Sequence, residues 1–188
     1  LHLLSRRQRQ MCIRDSPCFY NHFVTDREEP FDQPGTPEEP KGHYIFDKPE
    51  PLWNFGHGKS YTTFDYVDCA LSDTLLAASD TLKVSVMIKN TGRCDGKEVV
   101  QLYVRDKVST VATPIQQLKA FQKVLVKSGE SQCVELSLPI AELALYNAKM
   151  EEVVEPGDFE IQIGAASDDI RFKKTITINL SLIHISEP

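Results

Sequence analysis

Leu82-Lys83-Val84-Ser85-Val86-Met87-Ile88-Lys89 decides the fold. Leu82, Val84, Val86 and Ile88 fall on one side of an extended chain, and Lys83, Ser85, Met87 and Lys89 on the other. Successive side chains of a strand point to opposite faces, so this period of two describes a strand with one face buried and one wet. Asn90-Thr91-Gly92 ends it with turn chemistry, and Asp95-Gly96 supplies a second turn close behind. Outward from there the pattern repeats. Val100, Leu102 and Val104 form the next inward row, and Leu118 to Val126 reads as another strand closed by Lys127-Ser128-Gly129-Glu130. Val134, Leu136 and Leu138 alternate with Glu135 and Ser137. Pro139 to Leu143 predicts one helical turn, and Glu151 to Val154 a return to strand. Glu155-Pro156-Gly157-Asp158 predicts a type II turn, because proline and glycine take its two central positions. Phe159, Ile161 and Ile163, then Ile176 and Ile178, complete the series.

About seven strands separated by turn signals predict an all-β domain. The expected architecture is an immunoglobulin-like or fibronectin type III-like Greek-key β-sandwich over residues 61–179, preceded by an extended proline-rich loop. A domain of this size can hide ~60–70% of its unfolded surface, enough for a working core.

The whole sequence has 188 residues, 41% hydrophobic and 26% charged, a globular balance. A net charge of −6 argues against a broad nucleic-acid face or an anionic-membrane surface. The apolar stretches fall far short of the ~20 residues a membrane helix needs. No apolar run follows the basic residues at the start, so nothing there reads as a secretory signal.

The two ends stand apart. Arg6, Arg7, Arg9 and Arg14 crowd the first sixteen residues, without the alternation that marks the chain from Tyr61 onward. Arg6 to Asp15 can be encoded by a transposase sequencing adaptor, and Leu180 to Pro188 by the partner adaptor, which begins with the inverted repeat of the first. Residues 1–16 and 180–188 are therefore expected to be adaptor-derived and not part of the fold, together with the Asn179-Leu180-Ser181 sequon that straddles a junction; the rival reading of the first block is a basic arm that binds nucleic acid. Without Arg6, Arg7, Arg9, Arg14, Asp15 and Glu187 the net charge moves from −6 to −8.

Between Pro17 and Pro51 prolines stand at positions 17, 30, 34, 37, 40, 49 and 51, among acidic residues that far outnumber Arg27, Lys41 and Lys48. Proline fixes φ and lacks an amide donor, so this density predicts an extended acidic loop without helix or central strand. Its aromatics (Phe19, Tyr20, Phe23, Phe31, Tyr44, Phe46) need something to pack on.

The sandwich offers little reactive chemistry. No histidine lies between Gly58 and Asn179, which removes the commonest general base from that region. Cys18, Cys69, Cys94 and Cys133 show no C-x-x-C spacing for zinc or redox work, and Cys133 falls on the outward face if Val134 points inward. Asp168-Asp169 and Glu151-Glu152 are adjacent carboxylates. Neighbours on a strand face opposite ways, so adjacency gives no opposed pair ~5–9.5 Å apart across a glycosidic bond. Gly58-Lys59-Ser60 lacks the first glycine of a phosphate loop, since that position is Trp53.

Pro51-Leu52-Trp53-Asn54-Phe55-Gly56-His57-Gly58-Lys59-Ser60-Tyr61-Thr62-Thr63-Phe64 resembles a signature of glycoside hydrolase family 3. The resemblance continues through Asn90-Thr91-Gly92, the run Gly96 to Val104, Gln117 to Phe121, Val154 to Phe159 and Gly164 to Ser167, with Tyr20-Asn21-His22 upstream. Lys59 replaces the leucine usual in the signature, and Ser128 the proline usual in the lysine-proline-glycine-glutamate turn.

The resemblance implies the C-terminal part of a β-glucosidase-type or β-xylosidase-type enzyme. Residues 17–60 would be the end of an α/β sandwich domain and an interdomain linker, and residues 61–179 a fibronectin type III-like domain packed on the barrel and α/β domains of its parent. The nucleophilic aspartate and acid/base glutamate of the family lie upstream, so no catalytic residue, metal or cofactor is expected in this chain and it should be inactive alone. The parent would be a retaining glycosidase acting on an oligosaccharide, with terminal β-glucosyl or xylosyl residues as substrate. Trp53, His57 and Tyr61 could border a sugar subsite or seal an interdomain surface. The family analogy favours the periplasm or secretion. Rival readings are a free-standing carbohydrate-binding or adhesion-type module, which fold alone does not exclude.

Sequencing the source DNA across both junctions is expected to show adaptor at each end. Native genomic coding sequence continuing there would refute that origin.

Overall fold

The computed structural model describes residues 53–179. The adaptor-like ends and the proline-rich segment up to residue 52 lie outside the described residues. Ten strands run in chain order: β1 (Phe64–Leu71), β2 (Leu75–Ala77), β3 (Thr81–Asn90), β4 (Gly96–Asp106), β5 (Gln117–Val126), β6 (Ser131–Pro139), β7 (Leu145–Tyr146), β8 (Glu152–Val153), β9 (Gly157–Gly164) and β10 (Ile170–Asn179). A 3₁₀ turn, Ile140–Leu143, follows β6 and buries Ile140 and Leu143. A three-stranded sheet, β1-β3-β6, packs over a five-stranded one, β2-β10-β9-β4-β5, and β7 pairs with β8 in a separate hairpin. The chain changes sheet between β1 and β2, between β2 and β3, between β3 and β4, between β5 and β6, and between β6 and β9. These crossings make the all-β Greek-key sandwich expected from the alternation.

The inward rows meet as the period of two requires. Leu82, Val84, Val86 and Ile88 of β3 are fully buried, opposite Leu102, Ile161 and Ile176 of the other sheet. Val134, Leu136 and Leu138 extend the β3 row across antiparallel β6, Val86 facing Val134 and Val84 facing Leu136. Burying each such side chain contributes about 1.5–3 kcal/mol, so these rows supply most of the drive to fold. Cys69 joins the core, where burial pushes its thiol up, while Cys94 and Cys133 are exposed; all three are free thiols.

Three expectations differ from the structure. β1 and β2 are strands the alternation does not reveal. Phe64 to Leu71 breaks period two because a register shift falls between Tyr66 and Asp68, and β2 is a short edge strand lying parallel to β10. Residues 151–154 contribute only the two-residue β8. Glu155-Pro156-Gly157-Asp158 is no type II turn: Gly157 sits at φ +154°, far from the +80° that turn needs, and opens β9.

One polar side chain ties the sheets. Asn90, fully buried at the end of β3, donates from Nδ2 to the carbonyls of Val126 (2.9 Å) and Cys94 (2.8 Å). Its Oδ1 accepts from the Thr62 hydroxyl (2.6 Å) and from Gly92 N–H (3.0 Å). Val126 belongs to the opposite sheet, so this amide is a cross-link as well as a turn. A second junction sits where Tyr66 of β1 donates to Glu98 Oε1 of β4 at 3.0 Å, with Arg171 5.9 Å from the Tyr66 ring and paired to Asp169 at 2.7 Å. Burial raises Glu98 above the ordinary carboxylate range, with Asp169 adding to the rise, against the Tyr66 hydrogen bond and Arg171.

Asn90→Ala should cost roughly 3 kcal/mol, because it strands two carbonyls, a hydroxyl and an amide inside the fold. Urea unfolding of the two proteins measures it. Glu98 binds its proton more tightly folded than unfolded, so its contribution to stability is greatest at low pH and falls as pH rises through the raised value. Glu98→Gln keeps an acceptor for Tyr66, so thermal unfolding between about pH 4 and pH 7 should show the wild type losing ground to the variant as pH increases.

Candidate functional site

The run Val99-Val100-Gln101-Leu102-Tyr103-Val104 is apolar almost without a break, as a strand buried on both faces should be. Val100, Leu102 and Val104 face the core. Gln101 and Tyr103 face outward, yet Gln101 keeps only 4% of its surface exposed and Tyr103 none. Residues entering the domain and the turn between β9 and β10 meet over this outer face.

The entering segment makes a tight turn in which His57 N–H donates to Asn54 O at 3.0 Å. Gly56 takes φ +81°, the left-handed value such a turn needs at its third residue. A side chain there would also collide with Gln101, because a Cβ on Gly56 would lie 2.3 Å from Gln101 Oε1. On the other side, Gly164 at the start of the β9–β10 turn lies so close to Asp169 O that a Cβ would approach it to 2.1 Å. Gly164 is therefore fixed by close backbone approach, and Gly56 by its positive φ beside the Gln101 amide.

The two loops are hydrogen-bonded to the sandwich and to each other. Gln101 Nε2 donates to Gly56 O at 3.3 Å and to Ala165 O, while its Oε1 accepts from the Tyr103 hydroxyl at 2.6 Å. Ser167 N–H donates to Phe55 O at 2.9 Å, Asn54 Nδ2 to Asp168 Oδ2 at 2.7 Å, and Gln116 Nε2 to Ser167 O at 3.1 Å. Asp168 is thus a structural acceptor, and its neighbour Asp169 pairs with Arg171. The adjacent carboxylates serve different partners and lie in the β9–β10 turn, not on a strand.

Trp53, His57 and Tyr61 all lie on this entering segment. The structure brings the first two together, with ring centroids 4.7 Å apart and planes tilted by 37°. Lys59 Nζ sits 5.4 Å from the centroid of the Trp53 ring, a cation–π contact made by the residue that replaces the usual leucine. Tyr61 projects fully into solvent, Trp53 is 59% exposed and Phe55 46%. Trp53, Phe55 and Tyr61 thus put three large aromatic side chains on the surface of one short segment. Sequence reasoning misses Gln101 and Tyr103 as site residues. The signal for them is the unbroken apolar run, in which a lone glutamine has to be buried with its amide satisfied.

A small cavity of about 50 Å³ lies at the other end of the sandwich, lined by Val104, Asp106, Thr113, Lys119, Leu143 and Phe159 among others. Burial raises the Asp106 carboxyl and lowers Lys119, whose ammonium donates to Glu142 O at 2.7 Å. Each water needs ~10–15 Å³ of such space, so the cavity admits a few waters and excludes a sugar ring. No cluster of three or more histidine, cysteine, aspartate or glutamate side chains suited to a metal ion occurs among the described residues.

Residues 98–167 match the sequence profile of the fibronectin type III-like domain. The chain is 43% identical over 142 residues to a β-xylosidase from Formosa agariphila, covering 74% of this chain and 19% of that protein. It is 34% identical over 158 residues to a periplasmic β-glucosidase from Salmonella typhimurium, covering 82% of this chain and 20% of that protein. Among solved structures, a β-glucosidase from Listeria innocua in complex with glucose superposes with a TM-score of 0.72 and 34% identity, over 89% of this chain and 23% of that one. The chain spans about a fifth of the length of the curated relatives it matches.

Proposed function

We propose, from the premise that this chain matches the C-terminal, fibronectin type III-like region of the family 3 β-glucosidases and β-xylosidases, that it braces the sugar-cleaving domains of a longer enzyme. The whole protein would hydrolyse terminal β-glucosyl or β-xylosyl residues with retention, its nucleophile and acid/base carboxylates standing on preceding barrel and α/β domains. The observation that carries this reading is the exposed row Trp53, Phe55 and Tyr61, presented by a sandwich whose own core is already filled. Such a surface gains most by packing against a neighbour. Packing on other domains also fits a chain that is a small part of the enzymes it matches.

Trp53, His57 and Tyr61 serve that seam in this reading. A role at the border of a sugar subsite has weaker support, because sugar rings stack on free aromatic faces and Lys59 already lies over the Trp53 ring. Residues 17–60 would run from the α/β domain into the sandwich, and residues 61–179 would form the bracing domain. Export to the periplasm or medium is part of the same proposal, by analogy with the family.

The purified chain is expected to fold as a β protein and to leave aryl β-glucosides and aryl β-xylosides intact, while the uninterrupted gene encodes barrel and α/β domains upstream. Turnover by a preparation free of other glycosidases would overturn the reading. So would a gene that starts near codon 17.

A further inference from the structure

We propose that Gln101 is the positioning residue of the Trp53–Gly58 segment, so that the sandwich builds its exposed aromatic surface itself before any partner is present. This goes beyond the bracing role and does not depend on which neighbour the surface meets. Three observations carry it together.

The Gln101 amide is buried and directed outward from a central strand, where a valine or threonine would satisfy the sheet equally well. Its N–H groups are used entirely by loops. Both N–H donations go to backbone carbonyls, one on the entering segment (Gly56) and one on the β9–β10 turn (Ala165). The remaining oxygen is held by Tyr103, which fixes which end of the amide faces the loops. A side chain of the same size without N–H groups could fill the space and would hold neither loop.

Gly56 is shaped for this contact from the other side. A Cβ there would lie 2.3 Å from Gln101 Oε1, so glycine lets the segment approach without displacing the amide. The two loops then reinforce each other through Ser167 N–H to Phe55 O and Asn54 to Asp168. Trp53 and His57 flank this anchored turn, one before Asn54 and one at its closing amide. Their mutual packing at 4.7 Å is therefore inherited from the clamp. A surface ordered in advance binds without the entropy cost of ordering it on contact.

Trp53 is the one tryptophan of the chain, so its fluorescence reports this segment alone. Acrylamide quenching should be measured on the full chain well below its unfolding temperature, with far-UV circular dichroism confirming the intact sheets. Release of the segment would take Trp53 from 59% exposure toward full exposure, so Gln101→Leu is expected to raise the quenching constant about 1.5- to 2-fold. Gln101→Glu should do the same, since it keeps the shape and the acceptor for Tyr103 while setting a carboxylate against two carbonyls. Tyr103→Phe removes the hydroxyl that fixes the amide's orientation but leaves both N–H groups in place, and should raise Trp53 quenching by less than Gln101→Leu does. If Gln101→Leu fails to fold, Gln101→Met, which fills the same space without an N–H, decides the question, because Gly56→Ala would strain the turn at φ +81° whether or not Gln101 holds it. Wild-type quenching in folded Gln101→Leu and Gln101→Glu would overturn the assignment. An equal rise in Tyr103→Phe would overturn it too, by showing that any weakening of the cap frees the tryptophan. Failure of the bracing role would show separately, as turnover by the isolated chain or a gene without upstream domains.

Discussion

The side chain of Asn90 is the constraint on which the two-sheet arrangement depends. Apolar rows supply the free energy of collapse, but they are tolerant of sliding, because one leucine packs on another in several registers. A fully buried amide with four partners is not tolerant. It stands at the end of β3, reaches the carbonyl of Val126 across the interface, and collects Thr62, Gly92 and the Cys94 carbonyl from the strand entry and the turn. Each partner would be costly to leave unpaired. The packing of one sheet on the other, the course of the Gly92–Cys94 turn and the approach of the entering chain are therefore set by one residue. The backbone of Asn90 adds to this, its N–H donating to Glu130 O and its carbonyl accepting from Gly129 N–H.

The same logic recurs on the outer face. Gln101 does for the entering loop what Asn90 does for the turn: a buried amide holds carbonyls that would otherwise face water or nothing. Asn90 acts between the sheets and Gln101 outside the larger one, while Thr62 and Gly56 are only a few residues apart along the chain. The segment from Asn54 to Thr62 is thus pinned at both ends to side chains of the sandwich. Between the pins lie His57, Lys59 and Tyr61, all exposed. An exposed stretch held at two fixed points has little freedom to reorganise, which suits a docking surface better than a moving lid.

Much of this is legible in the sequence wherever one face of a strand meets core and the other meets water. Leu82 to Ile88 and Val134 to Leu138 declare their partners by period alone, because the pleat turns a chemical alternation into a spatial one. Legibility fails where that condition lapses. β1 carries a register shift after Tyr66, so Phe64, Tyr66 and Cys69 do not share the parity that a flat strand would give them. Pro156-Gly157 has the composition of a turn, and tertiary pairing of β9 with β10 draws the glycine into a strand instead. Gln101 and Tyr103 have the parity of the wet face of β4. Their burial comes from loops distant in sequence, and no local pattern encodes that cover. The segment around Trp53 is recognisable by family resemblance, whereas the reason for its glycine at position 56 is visible only beside Gln101.

Function follows from where the carboxylates are engaged. A retaining glycosidase needs two carboxyl groups ~5–5.5 Å apart on opposite sides of a bond, each free to touch substrate. In this domain the carboxylates near the aromatic segment have other partners. Asp168 accepts from Asn54, Asp169 pairs with Arg171, and Glu98 lies between strands accepting from Tyr66. Further off, Glu155 accepts from Thr110 N–H at 2.9 Å and holds that loop in place. Each of these groups is positioned by the fold for the benefit of the fold. Freeing any of them for substrate would loosen a loop or a strand junction, so the stability of the sandwich and a catalytic role for its acids compete directly. A domain organised this way is suited to holding a neighbour steady, as the proposed bracing role requires.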